Sequence, residues 1–265
     1  AGSARLPPEA QYLAGQAALG RSEAPPEDRR REALATLADV AAPFDIAAAY
    51  YRGAIHVQAG DLDGALREFQ ACDRFLAGDE RQRAQRELCW LGMARVQGAR
   101  ESWAEAIYWY QQVHGGSPRH EEALYELAWT HEKAGAPEAA LRVAAEIRPA
   151  DPGSGIAPEA ELLRGRALAD LRRYQEALDA YGRVRREYAP ARDAADSLLA
   201  AERDPARYVA RVAGEPGPGP ERPNGLPAVA VRWARESDEA QAARALGASL
   251  ANALRLLGDA QGAAA

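Results

Sequence analysis

The 265-residue chain holds four histidines, at 56, 114, 120 and 131, and two cysteines, at 72 and 89. None of the histidines forms an HExxH arrangement or accompanies a cysteine. No spacing therefore brings two metal ligands onto one helical face, and no metal site is expected. A Gly-x-Ser-x-Gly elbow, a phosphate-cradling loop and a dinucleotide fingerprint are all missing, and Gly217 and Gly219 sit among prolines rather than between a strand and a helix. The many paired carboxylates read as solvated helix faces. His56 and His131 read as partly buried structural residues. The chain is thus expected to be non-enzymatic, with no catalytic residue, no cofactor and no metal.

Cys72 and Cys89 carry the sharper chemical question. They stand at comparable distances on either side of a turn near Gly78–Glu80, on helices expected to be antiparallel neighbours. Two readings stay open: reduced thiols filling tight packing positions, the ordinary outcome for such small apolar residues, or a disulfide between them.

The elements that must carry these residues follow from composition. Apolar residues make up 47% of the chain and aromatics 7%, with Ala dominating the apolar share, which favours helices packed closely on one another. The net charge of -6 argues against a nucleic-acid partner, which demands a clustered basic surface. Lys133 is the single lysine, and a preference for Arg implies nothing about partners. No run of about 18 apolar residues exists, so no membrane span is expected. The N-terminus lacks the pattern of a signal peptide, and residues 1–5 are expected to be a cloning remnant or disordered.

A repeat organises the chain. One copy runs over 87–120, with Trp90, Met93 and Ala94 in a first helix and Trp103, Ala106, Tyr110 and Val113 in a second, ending at Pro118. The next begins one period later, over 121–154, with Leu124, Leu127, Ala128, Gly135, Ala140, Ile147 and Pro152 in register. A copy over 46–79 supplies Gly53, Gly60, Leu62, Ala65, Phe69 and Cys72, and one over 158–190 supplies Gly165, Leu168, Tyr174, Ala177, Tyr181 and Val184. Gly or Ala at the eighth and twentieth positions lets two helices of a pair approach closely, while larger residues fill the space between. This pattern resembles the tetratricopeptide repeat (TPR), whose period is about 34 residues. The resemblance implies an all-α fold: a right-handed α-solenoid of TPR helix pairs with a C-terminal helical cap.

Upstream, residues 6–45 read as a degenerate helix pair, with Gly15 matching Gly53. Downstream of Pro190 the motif ends. Residues 191–213 are expected to be capping helices with Asp204 as N-cap and Pro205 in the first turn, and 214–227 a Pro/Gly-rich loop. C-terminal helices follow over 228–257, with an apolar stripe at Ala243, Leu246, Leu250, Leu254 and Leu257, and 258–265 form a tail. The stripe is expected to pack on the last repeat, to occupy the chain's own groove, or to pair with another chain.

In the TPR family positions two, five, nine, twelve and thirteen of each first helix line the concave groove, and the fifth and ninth are taken to name its residues. Carried onto this chain, the resemblance implies a partner-binding strip of Tyr50, Leu91, Arg95, Tyr125, Trp129, Leu162 and Arg166. An apolar strip with two guanidiniums suits a protein or peptide partner that carries apolar and acidic groups. The carboxylate clamp of TPR co-chaperones is not matched, since the third repeat offers Glu122 and Glu126 where that clamp needs basic groups. A binding module for cell-wall glycan or a small ligand is the alternative. The stretches Ala123–Thr130, Ala160–Leu168, Tyr188–Asp193 and Leu226–Pro227 together resemble envelope-associated TPR proteins of gliding bacteria, the GltE type of adventurous-motility component. That resemblance implies a scaffold in the periplasm or cell envelope of a Gram-negative bacterium; a cytoplasmic adaptor is the alternative.

Overall fold

The computed structural model describes residues 6–20, 25–150, 154–201 and 230–233. All regular structure among them is helical, arranged as successive helix pairs: α1 (Pro8–Leu19) with α2 (Pro26–Leu37), α3 (Asp45–Gln58) with α4 (Leu62–Arg74), α5 (Glu80–Ala99) with α6 (Trp103–Tyr110), α7 (His120–Lys133) with α8 (Pro137–Ala150), and α9 (Ala157–Asp170) with α10 (Tyr174–Ala201). The chain divides into two compact units, residues 1–147 and 148–265. The sequence expectations for 1–5, for Asp204, Pro205 and the 214–227 loop, and for the apolar stripe from Ala243 to Leu257 lie outside the described residues.

One local device recurs at each turn within a repeat. Gly60, Glu101, Gly135 and Arg172 all adopt positive φ, between 58° and 75°. Each is the fifteenth residue counted from Ile46, Glu87, Glu121 and Pro158 respectively. The next amide in each case reaches back five residues to the helix: Asp61 N–H to His56 O, Ser102 N–H to Gln97 O, Ala136 N–H to His131 O and Arg173 N–H to Leu168 O, at 2.8–2.9 Å. This closure satisfies carbonyls that the helix end would leave bare and turns the chain back on itself. In the first repeat, Asp61 then caps α4 by accepting the Gly64 amide at 2.8 Å; Asp79 does the same for α5 through the Gln82 amide at 2.7 Å.

In the first unit buried clusters join successive helices. Leu37, Ala48 and Ile55 join α2 to α3. Ile46, Phe69, Cys72, Cys89, Met93 and Val96 fill the space between α3, α4 and α5. Leu91, Ala106, Tyr110, Ala123 and Leu127 continue it through α6 and α7. Polar links lie at its edge: Arg52 donates to Glu68 at 2.8 Å and to the Leu37 carbonyl at 2.7 Å, and the Trp90 indole donates to Asp73 at 2.6 Å. Cys72 and Cys89 form a disulfide between α4 and α5, with Cα atoms 6.3 Å apart. The reduced-thiol reading therefore gives way, because the two helices bring both side chains into one buried layer.

The second unit contains α9, α10 and a helical turn at Ala230–Trp233. Tyr181 of α10 packs on Gly165 of α9 so closely that a Cβ on the glycine would stand 2.5 Å from the ring. Buried Glu161 is satisfied by Arg164 and Arg183 at 3.0 and 2.5 Å. The repeat was expected to end at Pro190, with separate capping helices beyond it; α10 instead runs through Pro190 to Ala201. Proline removes one backbone donor and normally kinks or breaks a helix. Here the flanking alanines have the highest helix propensity, and Ala191, just past the proline, is buried, so packing carries the helix on.

Candidate functional site

The first helices α3, α5 and α7 present two adjoining cavities in the first unit. One, of about 270 Å³, is walled by Tyr50, Ala54 and Val57 of α3, Phe69 of α4, and Gly92, Val96 and Ala99 of α5. The other, of about 550 Å³, is walled by Gly98 and Ala99 of α5, Trp103 and Tyr110 of α6, and Trp129, Thr130 and Lys133 of α7. Arg95 and Ala99 border both. The first-helix residues involved include positions five, nine, twelve and thirteen of the repeat: Tyr50, Ala54, Val57 and Gln58, then Arg95, Gly98 and Ala99, then Trp129 and Lys133. Helical spacing puts them on one face, and stacking the helices side by side makes that face a groove.

The floor of the smaller cavity is set by one ring and two glycines. Phe69 lies between Gly53 and Gly92; a Cβ on either would approach its ring to 2.3 or 2.7 Å. Tyr50 leans on the same ring, with centroids 5.9 Å apart. Only bare Cα atoms admit the phenyl group here, so the groove wall depends on residues that carry no side chain of their own.

Between the cavities stands an ion-pair network. Arg95 donates to Glu126 through Nε and Nη2, at 2.9 and 2.6 Å, and through Nη2 to Glu122 at 2.6 Å. Arg119 donates to Glu122 at 3.1 Å. Burial disfavours the charge on Arg95, but the bonds and attraction from Glu126, then Glu122, outweigh it and hold the guanidinium above its ordinary range. Burial first, and the Glu126 charge second, push the Tyr110 hydroxyl well above the usual phenol value. Arg95 is therefore committed inside the protein. An acidic partner group would have to displace two carboxylates, so the acidic component of the expected ligand is not supported by Arg95.

The structure redistributes the expected strip. Tyr50, Arg95 and Trp129 line the groove; Tyr125 is half-buried on α7. Leu91 is 0% exposed and belongs to the core with Ala94, Ala106, Tyr110 and Leu127, so it offers a partner no surface. Register alone does not decide exposure: at the same position Tyr50 and Tyr125 are half-buried and Leu162 is exposed, whereas the neighbours of Leu91 enclose it. Leu162 and Arg166 are exposed on α9 of the second unit. There Leu162 edges a separate apolar cavity of about 700 Å³ with Tyr181, Tyr188 and Trp233, the last two stacked at 5.5 Å. The strip thus comprises sites in two units, described separately.

The histidines do not form a reactive cluster. His56 Nδ1 meets Asp61 Oδ2 at 2.9 Å, tying the end of α3 to the cap of α4. Burial, then the charge of Arg142, hold His131 below the ordinary imidazole range. Among the described residues no group of three or more His, Cys, Asp or Glu side chains could hold a metal ion, and no helix is long and apolar enough to cross a membrane. Sequence reasoning missed Val57, Gly98, Ala99 and Lys133 as named groove residues, although the repeat register that located Tyr50 and Arg95 points to them too.

Residues 99–184 match the family model described as anaphase-promoting complex, cyclosome, subunit 3. None of the curated proteins compared matches the chain. Among solved structures, MamA protein superposes with a TM-score of 0.56 at 12% identity, covering 70% of this chain and 94% of its own. The ligand-free form of RapI does so with a TM-score of 0.58 at 10% identity, covering 78% and 83%. A Podosopora anserina chain of nearly identical TPR-like repeats, described as a kinesin light chain, gives 0.53 at 15% identity, covering 70% and 96%. At these identities the likeness concerns the fold, and the chain carries TPR-like repeats.

Proposed function

We propose that the protein is an interaction scaffold that holds a segment of a partner protein in the groove formed by α3, α5 and α7. The observation that carries this reading is the pair of adjoining cavities bounded by the same register positions from three successive repeats. The smaller cavity is apolar and sized for one bulky side chain; the larger presents Trp103 and Trp129. Because Arg95 is neutralised by Glu122 and Glu126, the favoured ligand is a mainly apolar or aromatic segment, extended or helical, rather than an acidic tail.

The disulfide supports a compartment. Such bonds persist where thiols are not kept reduced, as in the periplasm, and are rare in cytosol. An oxidising compartment agrees with the proposal that the scaffold works in the periplasm or cell envelope of a Gram-negative bacterium, which itself comes from the resemblance to envelope-associated TPR proteins. Membership of a gliding-motility complex is the narrower form of this proposal, and rests on the resemblance of the 123–130 and 160–168 stretches.

The test introduces charge into the groove without touching the core. Val57 is 43% exposed and Ala99 is exposed, so Val57→Glu with Ala99→Glu leaves packing intact. Proteins that co-purify with the unaltered chain are expected to be lost from this variant while its circular dichroism is unchanged. Undiminished recovery of the same proteins would refute the groove reading.

A further inference from the structure

The disulfide and the groove floor occupy the same two helical turns. Cys72 follows Phe69 by three residues on α4, and Cys89 precedes Gly92 by three on α5, so each sulfur sits one turn from a residue that walls the smaller cavity. The link is buried: Cys72 and Cys89 are both 0% exposed, enclosed by Ile46, Phe69, Met93 and Val96. Without the link, α4 and α5 are free to separate at the place where the Phe69 ring fills the space against Gly92.

We propose that the groove is completed by an oxidative maturation step, in which a thiol–disulfide oxidoreductase closes Cys72 onto Cys89 before α4 and α5 pack. The thiolate of one cysteine attacks the catalyst's disulfide, forming a mixed disulfide and releasing one catalyst thiolate. The second cysteine, as thiolate, then attacks the protein-side sulfur, forms the Cys72–Cys89 bond and expels the other catalyst thiolate. The pair is oxidised by two electrons, the catalyst disulfide is reduced by two, and the two thiol protons pass to the released thiolates. Exchange needs a direct approach to sulfur, and the closed layer offers none. The bond is therefore made on an open chain and is shielded once the helices have packed. The functional consequence, an assembled apolar cavity, rests on the groove reading above; the maturation step itself does not require a partner.

The experiment uses the full chain folded under oxidising conditions, with dithiothreitol as reductant and alkylation counted by mass spectrometry. No alkylated cysteine is expected when the unreduced chain is alkylated in guanidinium, and reduction of the native chain should be at least about ten-fold slower than in guanidinium. Hydrogen exchange then compares the oxidised chain with one refolded in reductant: the amides of 69–72 and 92–96 should exchange faster in the reduced chain while those of α9 keep their rates. Two alkylatable thiols, native reduction at the denatured rate, or equal exchange in both states would each overturn the proposal. These readouts involve no partner, so a groove that fails to bind and a bond that fails to brace it give different results.

Discussion

The Phe69 ring lies against the bare Cα of Gly53, so near that a methyl group there would come within 2.3 Å of the ring edge. Gly92 confines the same ring from α5, where a Cβ would stand 2.7 Å from Cζ. Gly53→Ala gains helix propensity of up to about 1 kcal/mol but overpacks a ring that has nowhere to move, at a cost of roughly 1–3 kcal/mol. We expect a net loss of about 1–2 kcal/mol in chemical denaturation. Gly98, also inside a helix but with nothing within 4 Å of its would-be Cβ, is the control: Gly98→Ala should be neutral or stabilising. Equal effects at both sites would show that the ring is not confined.

The intra-repeat turns make a second prediction of opposite sign at equivalent positions. Gly60 and Glu101 occupy the same register with φ of 75° and 60°. Gly60→Ala should cost about 1 kcal/mol, because the left-handed region disfavours a Cβ. Glu101→Gly should cost nothing or stabilise by a few tenths of a kcal/mol, read as a shift in the urea midpoint. Destabilisation by Glu101→Gly comparable to that of Gly60→Ala would contradict the common turn geometry.

Much of this was legible because it is written in register. The small residues and turn positions recur with the repeat, so the helix pairs could be placed from spacing alone. What was not legible arises between repeats. Glu122 and Glu126 were visible as third-repeat residues, but their capture of Arg95, 27 and 31 positions away, depends on how one pair stacks on the next. Leu91 was assigned to the groove by its register, yet Ala106, Tyr110 and Leu127 from the next helices enclose it, while Leu162 at the same register is exposed. The cysteine pair was visible and undecided, since spacing cannot say whether two side chains face each other. Helix beyond Pro190 was legible, but its fusion with the last repeat helix into α10 was not, because a proline is read as a boundary unless the packing around it is known.

Arg95 and Glu126 should be energetically coupled. Double-mutant cycles with Arg95→Gln and Glu126→Gln are expected to give about 1 kcal/mol, kept modest because the Arg95 side chain is 42% exposed and screened by solvent. Arg95→Gln alone should be the most costly of the set, since it leaves Glu122 and Glu126 facing each other across one helical turn. A coupling indistinguishable from zero would mean that the network does not hold the groove.

The lowered His131 value fixes the sign of a pH effect. Its folded value lies below the ordinary one, so the unfolded chain takes up the proton first as pH falls. Stability contributed by neutral His131 is present above the unfolded value and is lost as pH falls through it toward the folded value. The melting temperature of His131→Gln should therefore fall less between pH 8 and pH 5, roughly the interval that brackets an ordinary imidazole, than that of the unaltered chain. An equal or steeper fall in the variant would contradict the assignment.

Removing the crosslink should cost more than any single groove change. The two cysteines are 17 residues apart, and a loop of that size is stabilised by roughly 3 kcal/mol when closed. Cys72→Ala with Cys89→Ala is expected to lower unfolding free energy by about that amount, with a further contribution from the lost sulfur packing. A change below about 1 kcal/mol would show that the unlinked chain is already held in the same arrangement.

Whether the groove is the binding surface is tested most directly by where a partner touches. A photo-crosslinking amino acid is placed in the full chain either at Val57, inside the smaller cavity, or at Tyr108, 54% exposed on α6 and not among the cavity-lining residues. Irradiation in the native cells should give a discrete adduct from position 57 and none from position 108. An adduct from 108 with none from 57, or the same adduct from both, would contradict the account.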